Sequence, residues 1–235
     1  MNNSINSSQS TLTAQLALQH QAQGAVRPPQ ATPPQAAPPA QPPSRKSEKE
    51  KMLSGEWYEL FGPRLVDERE QCKAYLFCFN NSMNPNVGVS REERARLFRA
   101  VLEAPWARNA NSPNSPNGSL GRDVCVEAPF TCDYGYNINI GDEVVIGSNC
   151  TILDPCRISI GARTIIGPNV NIFGNTVSTD PRARKGSQSI AIGSPITIEE
   201  DVYIGGNVTI LPGIRIGKGS TVDAGSVVTH VSTNP

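Results

Sequence analysis

The chain has 235 residues, with 21 basic residues balanced against 21 acidic ones, which leaves room for one medium domain plus an extension. A formal charge of zero supplies none of the clustered positive field that nucleic acid or an anionic membrane surface requires, so neither is an expected partner. No stretch approaches the roughly 20 apolar residues of a membrane span, and the N-terminus lacks the charged and apolar regions of a signal peptide, so a cytoplasmic protein is expected. The six cysteines, Cys72, Cys78, Cys125, Cys132, Cys150 and Cys156, contain no C-x-x-C pair. The two histidines, His20 and His230, stand at opposite ends of the chain, so neither a zinc site nor a disulfide framework is expected.

Residues 1–44 hold eight Pro, eight Gln and one charged residue, Arg27. That composition cannot bury enough apolar surface to offset ordering entropy, and residues 1–46 read as a disordered tail in which Leu12, Leu16 and Leu18 form at most a transient helix. Residues 47–108 then read as a small helical domain. The stretch 48–60 carries Met52, Leu53, Trp57, Tyr58 and Leu60, and Leu65, Arg69, Cys72, Tyr75, Leu76 and Phe79 recur near helical spacing. Ser90 followed by Glu93 reads as a capping box opening a third helix, with Ala95, Leu97, Phe98, Val101 and Leu102 on its apolar face and Pro105 as its stop. A polar loop follows at 109–119.

From residue 120 to 235 the chain is periodic. Aliphatic anchors fall every sixth position at Ile140, Ile146, Ile152 and Ile158, and after a two-residue slip at Ile160, Ile166 and Ile172. They resume at Ile198 and continue through Ile204, Ile210, Ile216, Val222 and Val228. Small or β-branched residues precede many anchors by two positions, and glycine often follows, as at Gly141, Gly147 and Gly205. A period of six suits neither an α-helix nor a hairpin sheet; it suits a triangular parallel β-helix whose anchors fill the interior and whose glycines form the corners. In this register Cys132 lies one 18-residue coil before Cys150, and Cys150 and Cys156 read as small buried groups. Residues 173–195 interrupt the repeat and carry Asp180, Arg182, Arg184 and Lys185. A loop of this length thrown out of a regular coil reads as functional.

The segments MLSGEWYE, PFTCDYGYNINIG at 129–141, STDPRARKG, and the long run from Pro195 to Val231 together resemble the hexapeptide-repeat sugar O-acetyltransferases of the maltose, galactoside and nodulation-factor group. The resemblance spans roughly residues 50–235. It implies a mainly β fold, a left-handed parallel β-helix preceded by the helical domain, assembled as a homotrimer with sites between neighbouring subunits. It implies acetyl-CoA as co-substrate, no metal, and a small-molecule hydroxyl acceptor whose proton is taken by a histidine in the protruding loop while backbone donors hold the oxyanion.

The positions carry over unevenly. The family's Thr-His-Pro-x-Asp-Pro pattern, counted back from Asp180-Pro181, places Val177 at the histidine position, and no histidine stands between His20 and His230. Asp180, Ser178 and His230 stand as candidate substitute bases, of which Asp180 is a weak one because an ordinary carboxylate is a poor base for a hydroxyl. Asp133 matches an acceptor-binding position, whereas Gly62 and Gly147 stand where the family has an aspartate and an asparagine. On the cofactor side Tyr203 replaces a tryptophan, Gly206, Ala224 and Thr229 match, and His230 replaces a lysine. The sequence ends at Pro235, ahead of the family's Gly-Asn-Pro-Ala segment, so a weakened hold on the nucleotide phosphates is expected. Two functions remain open: acetyl transfer to a hydroxyl without the histidine, or a catalytically inactive trimer serving as a binding or regulatory module. A third, a degenerate chain, has the same sequence features.

Overall fold

The computed structural model describes residues 46–86, 88–104 and 117–229; the expected tail, most of the polar loop and His230 lie outside the described residues. Three helices come first: α1 (Glu48–Leu53), α2 (Pro63–Asn81) and α3 (Arg91–Glu103). The complete capping box belongs to α1, where Ser47 and Glu50 bond reciprocally. At α3 only half of the expected box forms. Ser90 Oγ accepts from the Glu93 N–H at 3.1 Å, but the Glu93 carboxylate turns to Arg96. Helix α2 opens on Pro63, whose missing N–H costs nothing at the first helical position. The expected helical run over 48–60 stops at Leu53 and gives way to a short strand, Tyr58–Glu59, which leaves Trp57 44% exposed.

Between Ser119 and Val228 the six-residue period becomes a triangular parallel β-helix with five strands on each face. The first face stacks Leu120, Ile140, Ile160, Ile198 and Ile216. The second stacks Val126, Ile146, Ile166, Ile204 and Val222, and the third Cys132, Ile152, Ile172, Ile210 and Val228. Most of these columns are fully buried. Each buried isoleucine contributes about 1.5–3 kcal/mol relative to exposure, so the columns dominate the stability of the solenoid. Backbone bonds run from coil to coil, as from Thr151 N to Val170 O at 2.9 Å and on from Asn171 N to Val208 O at 2.9 Å.

Two expectations change. The early coils are longer than 18 residues: Phe130 pairs with Cys150 and Cys132 with Ile152, so Cys132 and Cys150 are not equivalent. The extra residues sit where the third face turns into the first. The glycines after the anchors also serve a different purpose from corner flexibility. A side-chain carbon at Gly161 would lie 2.4 Å from the Glu199 backbone, and one at Gly147 would lie 2.7 Å from Pro168 N, so glycine permits close stacking of successive coils. The left-handed backbone falls two residues after Gly147, Gly167 and Gly205, on Asn149, Asn169 and Asn207, each with φ of 58°.

Helices α2 and α3 close the N-terminal end of the solenoid. Phe98 of α3 stands 5.0 Å from the Phe79 ring and 5.2 Å, edge-on, from Phe130 of the first third-face strand. The Asn80 side chain accepts from Phe130 N at 2.9 Å and donates to Phe130 O at 3.0 Å, completing an edge that otherwise exposes unpaired backbone.

Candidate active site

The corner between the third and first faces is built around Asp154, which is fully buried. Its Oδ1 accepts from the N–H groups of Asp133 and Tyr134 at 3.0 and 2.9 Å, and its Oδ2 from Asn137 N at 3.3 Å. The Asn137 side chain donates to Asp154 O at 2.7 Å. Burial raises the Asp154 carboxyl well above the ordinary range against the pull of these donors. The result is a rigid seat for Asp133.

Asp133 is half-buried, and burial raises its carboxyl while the nearby cations Arg69 and Lys73 oppose the shift. Both cations come from α2 and are otherwise engaged. Arg69 donates to Tyr134 Oη at 2.7 Å and to Leu60 O at 2.9 Å, and Lys73 pairs with Glu70 at 2.7 Å. Among the described residues no donor bonds the Asp133 carboxylate.

The interruption of the repeat folds as an antiparallel hairpin, Asn175–Val177 with Ile190–Gly193, and Tyr58–Glu59 adds a third strand from the helical domain. Tyr58 and Val177 both oppose Ala191, so Tyr58, Ala191, Val177, Asn175 and Gly193 share one face of this small sheet. The Asn175 side chain, on the same sheet face, opposes the effect of burial on the Tyr58 phenol. Burial pushes that phenol up to about 12, and the Asp133 charge adds in the same direction; Tyr58, Ala191 and Tyr134, the residue next to Asp133, pack in one buried cluster. A carbon at Gly193 would lie 3.3 Å from Cys156 Sγ. Cys156 therefore packs between the corner and the hairpin base, not in the solenoid interior that its spacing suggested.

Val177 is 38% exposed and offers no proton acceptor. Asp180 accepts from Arg182 N at 2.9 Å and from Arg182 Nε and Nη2 at 3.2 Å, and the guanidinium holds its carboxyl below the usual range. That engagement makes Asp180 a poor base. Gly62 immediately precedes α2, and a carbon there would lie 3.4 Å from Glu59 O.

The cofactor-side positions lie elsewhere. Tyr203 stands 48% exposed on the second face, in one outward column with Ile165 and Val145. Gly206 and Ala224 occupy the next corner, between the second and third faces, where Gly147 also stacks. Thr229 is exposed just beyond the last third-face strand. One face, about 16 Å for five extended residues, separates this corner from Asp133 and Val177. Among the described residues, a groove of about 550 Å³ runs along the first face beside Ser159 and Thr197 and another of about 550 Å³ lies between α3 and the first coil; neither contains Asp133 or Gly206.

Sequence reasoning missed Tyr58, Arg69, Tyr134, Asp154 and Asn175 as site components. The signal for Asp154 was its position in ILDPC, one coil after CDYGYN. For Tyr58 and Asn175 there was only the short strand alternation on either side of the interruption. Among the described residues no group of three or more His, Cys, Asp or Glu gathers to hold a metal, and no helix is long and apolar enough to cross a membrane.

Comparison with known proteins agrees with this architecture. The family model for the maltose acetyltransferase hexapeptide capping motif matches residues 51–104, and that for the hexapeptide repeat of succinyl-transferase matches residues 195–230. Nodulation protein L of Rhizobium meliloti is 35% identical over 72% of this chain and 81% of its own length. The crystal structure of a maltose O-acetyltransferase from Clostridium difficile is 37% identical, with a TM-score of 0.67 over 79% of this chain and 88% of that one. A hexapeptide-repeat acetyltransferase from Vibrio cholerae, solved with acetyl-CoA, is 34% identical, with a TM-score of 0.64 over 79% and 88%. The chain belongs to the hexapeptide-repeat acetyltransferase family of maltose O-acetyltransferase and nodulation protein L, and its solenoid is the left-handed β-helix of that family.

Proposed function

We propose that the protein transfers an acetyl group from acetyl-CoA to a hydroxyl of a sugar or other small acceptor, as a homotrimer in the cytoplasm. The observation that carries this reading is the division of the site between two corners. Asp133, fixed by Asp154, belongs to one, and Tyr203, Gly206 and Ala224 to the other. A second copy of the chain supplies the missing half of each site. The second corner suits an extended thioester. Gly206 N–H donates to no backbone carbonyl among the described residues, Gly206 is partly exposed, and the Tyr203 ring is exposed for stacking. Thr229 lies on this side, just beyond the last third-face strand. The six cysteines are free thiols, in keeping with a reducing compartment.

Val177 supports a second reading, in which the trimer binds acetyl-CoA without turnover. Calorimetry of acetyl-CoA binding and subunit complementation test the proposal. Micromolar binding is expected. Co-assembly of Asp133→Asn chains with chains altered at Gly206 is expected to restore part of the activity that each lacks alone. No binding, or no complementation between active-site halves, contradicts it.

A further inference from the structure

Acetyl transfer requires a group that takes the acceptor proton, and position 177 carries none. The titratable groups around the same corner are occupied or hidden. The Tyr58 phenol is buried and pushed up to about 12, and the Tyr134 hydroxyl is held by Arg69 at 2.7 Å. Burial pushes the Cys156 thiol up to about 12, and its Sγ lies 3.6 Å from Gly174 O. Cys72 and Cys132 are buried against each other at 3.6 Å. Asp154 is enclosed and bonded by three backbone N–H groups, and Asp180 is paired with Arg182. Burial raises Asp133 as well, but its carboxylate is neither bonded nor fully enclosed among the described residues. The Asp133 backbone is fixed by the bond to Asp154, its carboxylate has no donor among the described residues, and its neighbour Tyr134 packs in one buried cluster with Tyr58 and with Ala191, the residue opposite Val177.

We propose that Asp133 is the proton acceptor of the transfer in place of the residue at 177, and that the acceptor it serves is a phenol. This rests on the acetyl-transfer reading above. The phenolic O–H proton passes to the Asp133 carboxylate as the phenol oxygen bonds to the thioester carbonyl carbon. The C–S bond then breaks with its electron pair on sulfur, and Asp133 returns the proton to the CoA thiolate, leaving a phenyl ester, free CoA and the original carboxylate. A carboxylate is a weaker base than an imidazole, and proton-transfer efficiency follows the match of donor and acceptor pKa. A phenol near pKa ~10 is therefore within its reach where an alkyl alcohol is not. Val177, apolar and partly exposed on the Tyr58 face, gives an aromatic ring a surface to lie against.

The test compares the intact chain with Asp133→Asn, using acetyl-CoA with maltose, phenol and 4-cyanophenol and following initial release of CoA with product identification by mass spectrometry. The parent chain is expected to acetylate phenols at least tenfold faster than maltose. Asp133→Asn is expected to lower kcat/KM for phenol about 10²-fold or more, remove the acidic limb of the pH profile, and leave acetyl-CoA affinity within about twofold. The penalty shrinks for 4-cyanophenol, whose proton is already easily lost. A loss merely from misfolding is equal for every acceptor and accompanied by a lower Tm, and that pattern overturns the proposal. Undiminished turnover and an intact acidic limb in Asp133→Asn also overturn it while leaving the transfer reading in place, as does faster transfer to maltose than to phenol. Acetyl-CoA binding with no transfer from the parent chain to any acceptor overturns the transfer reading and this proposal with it.

Discussion

Asp154→Ala removes the group that holds the acceptor corner. Three backbone N–H groups, those of Asp133, Tyr134 and Asn137, lose their acceptor in a place from which water is excluded. At about 1–1.5 kcal/mol for each such donor, the loss is about 3–4 kcal/mol, partly offset by removing a buried carboxylate. Asp154→Asn keeps Oδ1 for two of the donors but sets an amide N–H against Asn137 N–H, so its cost is about 1–2 kcal/mol. Urea unfolding at fixed protein concentration measures both changes, with mass action from assembly held constant. The order Ala worse than Asn, with Asp133-dependent turnover lost in both, is expected. A change below about 1 kcal/mol in Asp154→Ala refutes the claim that this carboxylate organises the corner.

Val177→His places an imidazole on the Tyr58 face and is expected to raise kcat toward sugar hydroxyls by about 10²-fold or more, with a new acidic limb near pH ~6.5; steady-state pH profiles read this. A flat response shows that the aspartate and asparagine absent at Gly62 and Gly147 are also needed. Gly147→Asn is expected to cost about 1–3 kcal/mol in thermal melts because its side-chain carbon meets the Pro168 backbone at 2.7 Å. Gly206→Ala, where the nearest atom is Pro168 O at 3.3 Å, is expected to cost under about 1 kcal/mol. Burial raises the Asp133 carboxyl, so the native state keeps this proton to higher pH than the unfolded chain does. Its contribution to stability is therefore greatest on the acid side and falls as pH rises from about 4 through the folded value. Asp133→Asn is expected to remove that slope in melts across pH 4–7 and to raise Tm at neutral pH; a lowered neutral Tm contradicts it.

The solenoid was legible because one physical rule, an inward aliphatic residue at every sixth position, repeats along it from Ile140 to Val228. Its corners were less so. The glycine after Ile146 reads as a flexible corner, but the structure gives that backbone freedom to Asn149 and uses Gly147 for close stacking. The 18-residue spacing of Cys132 and Cys150 misled because the early coils carry two additional residues at the corner where Asp154 sits. The interruption was legible as a departure, but not its hairpin, since Val177, Ala191 and Tyr58 meet by non-local pairing that no local pattern records. Asp133 was recognised through CDYGYN. Its environment, with Asp154 beneath it and Arg69 beside it, depends on contacts across one coil and from α2.

The central claim is acetyl transfer, and mass spectrometry of the purified chain incubated with acetyl-CoA and a panel of maltose, galactosides and phenols tests it most directly. An acceptor carrying one added acetyl group, formed in step with free CoA and absent without the protein, is the result predicted. Acetyl-CoA that binds but stays intact, or that yields CoA with no acetylated acceptor, contradicts it.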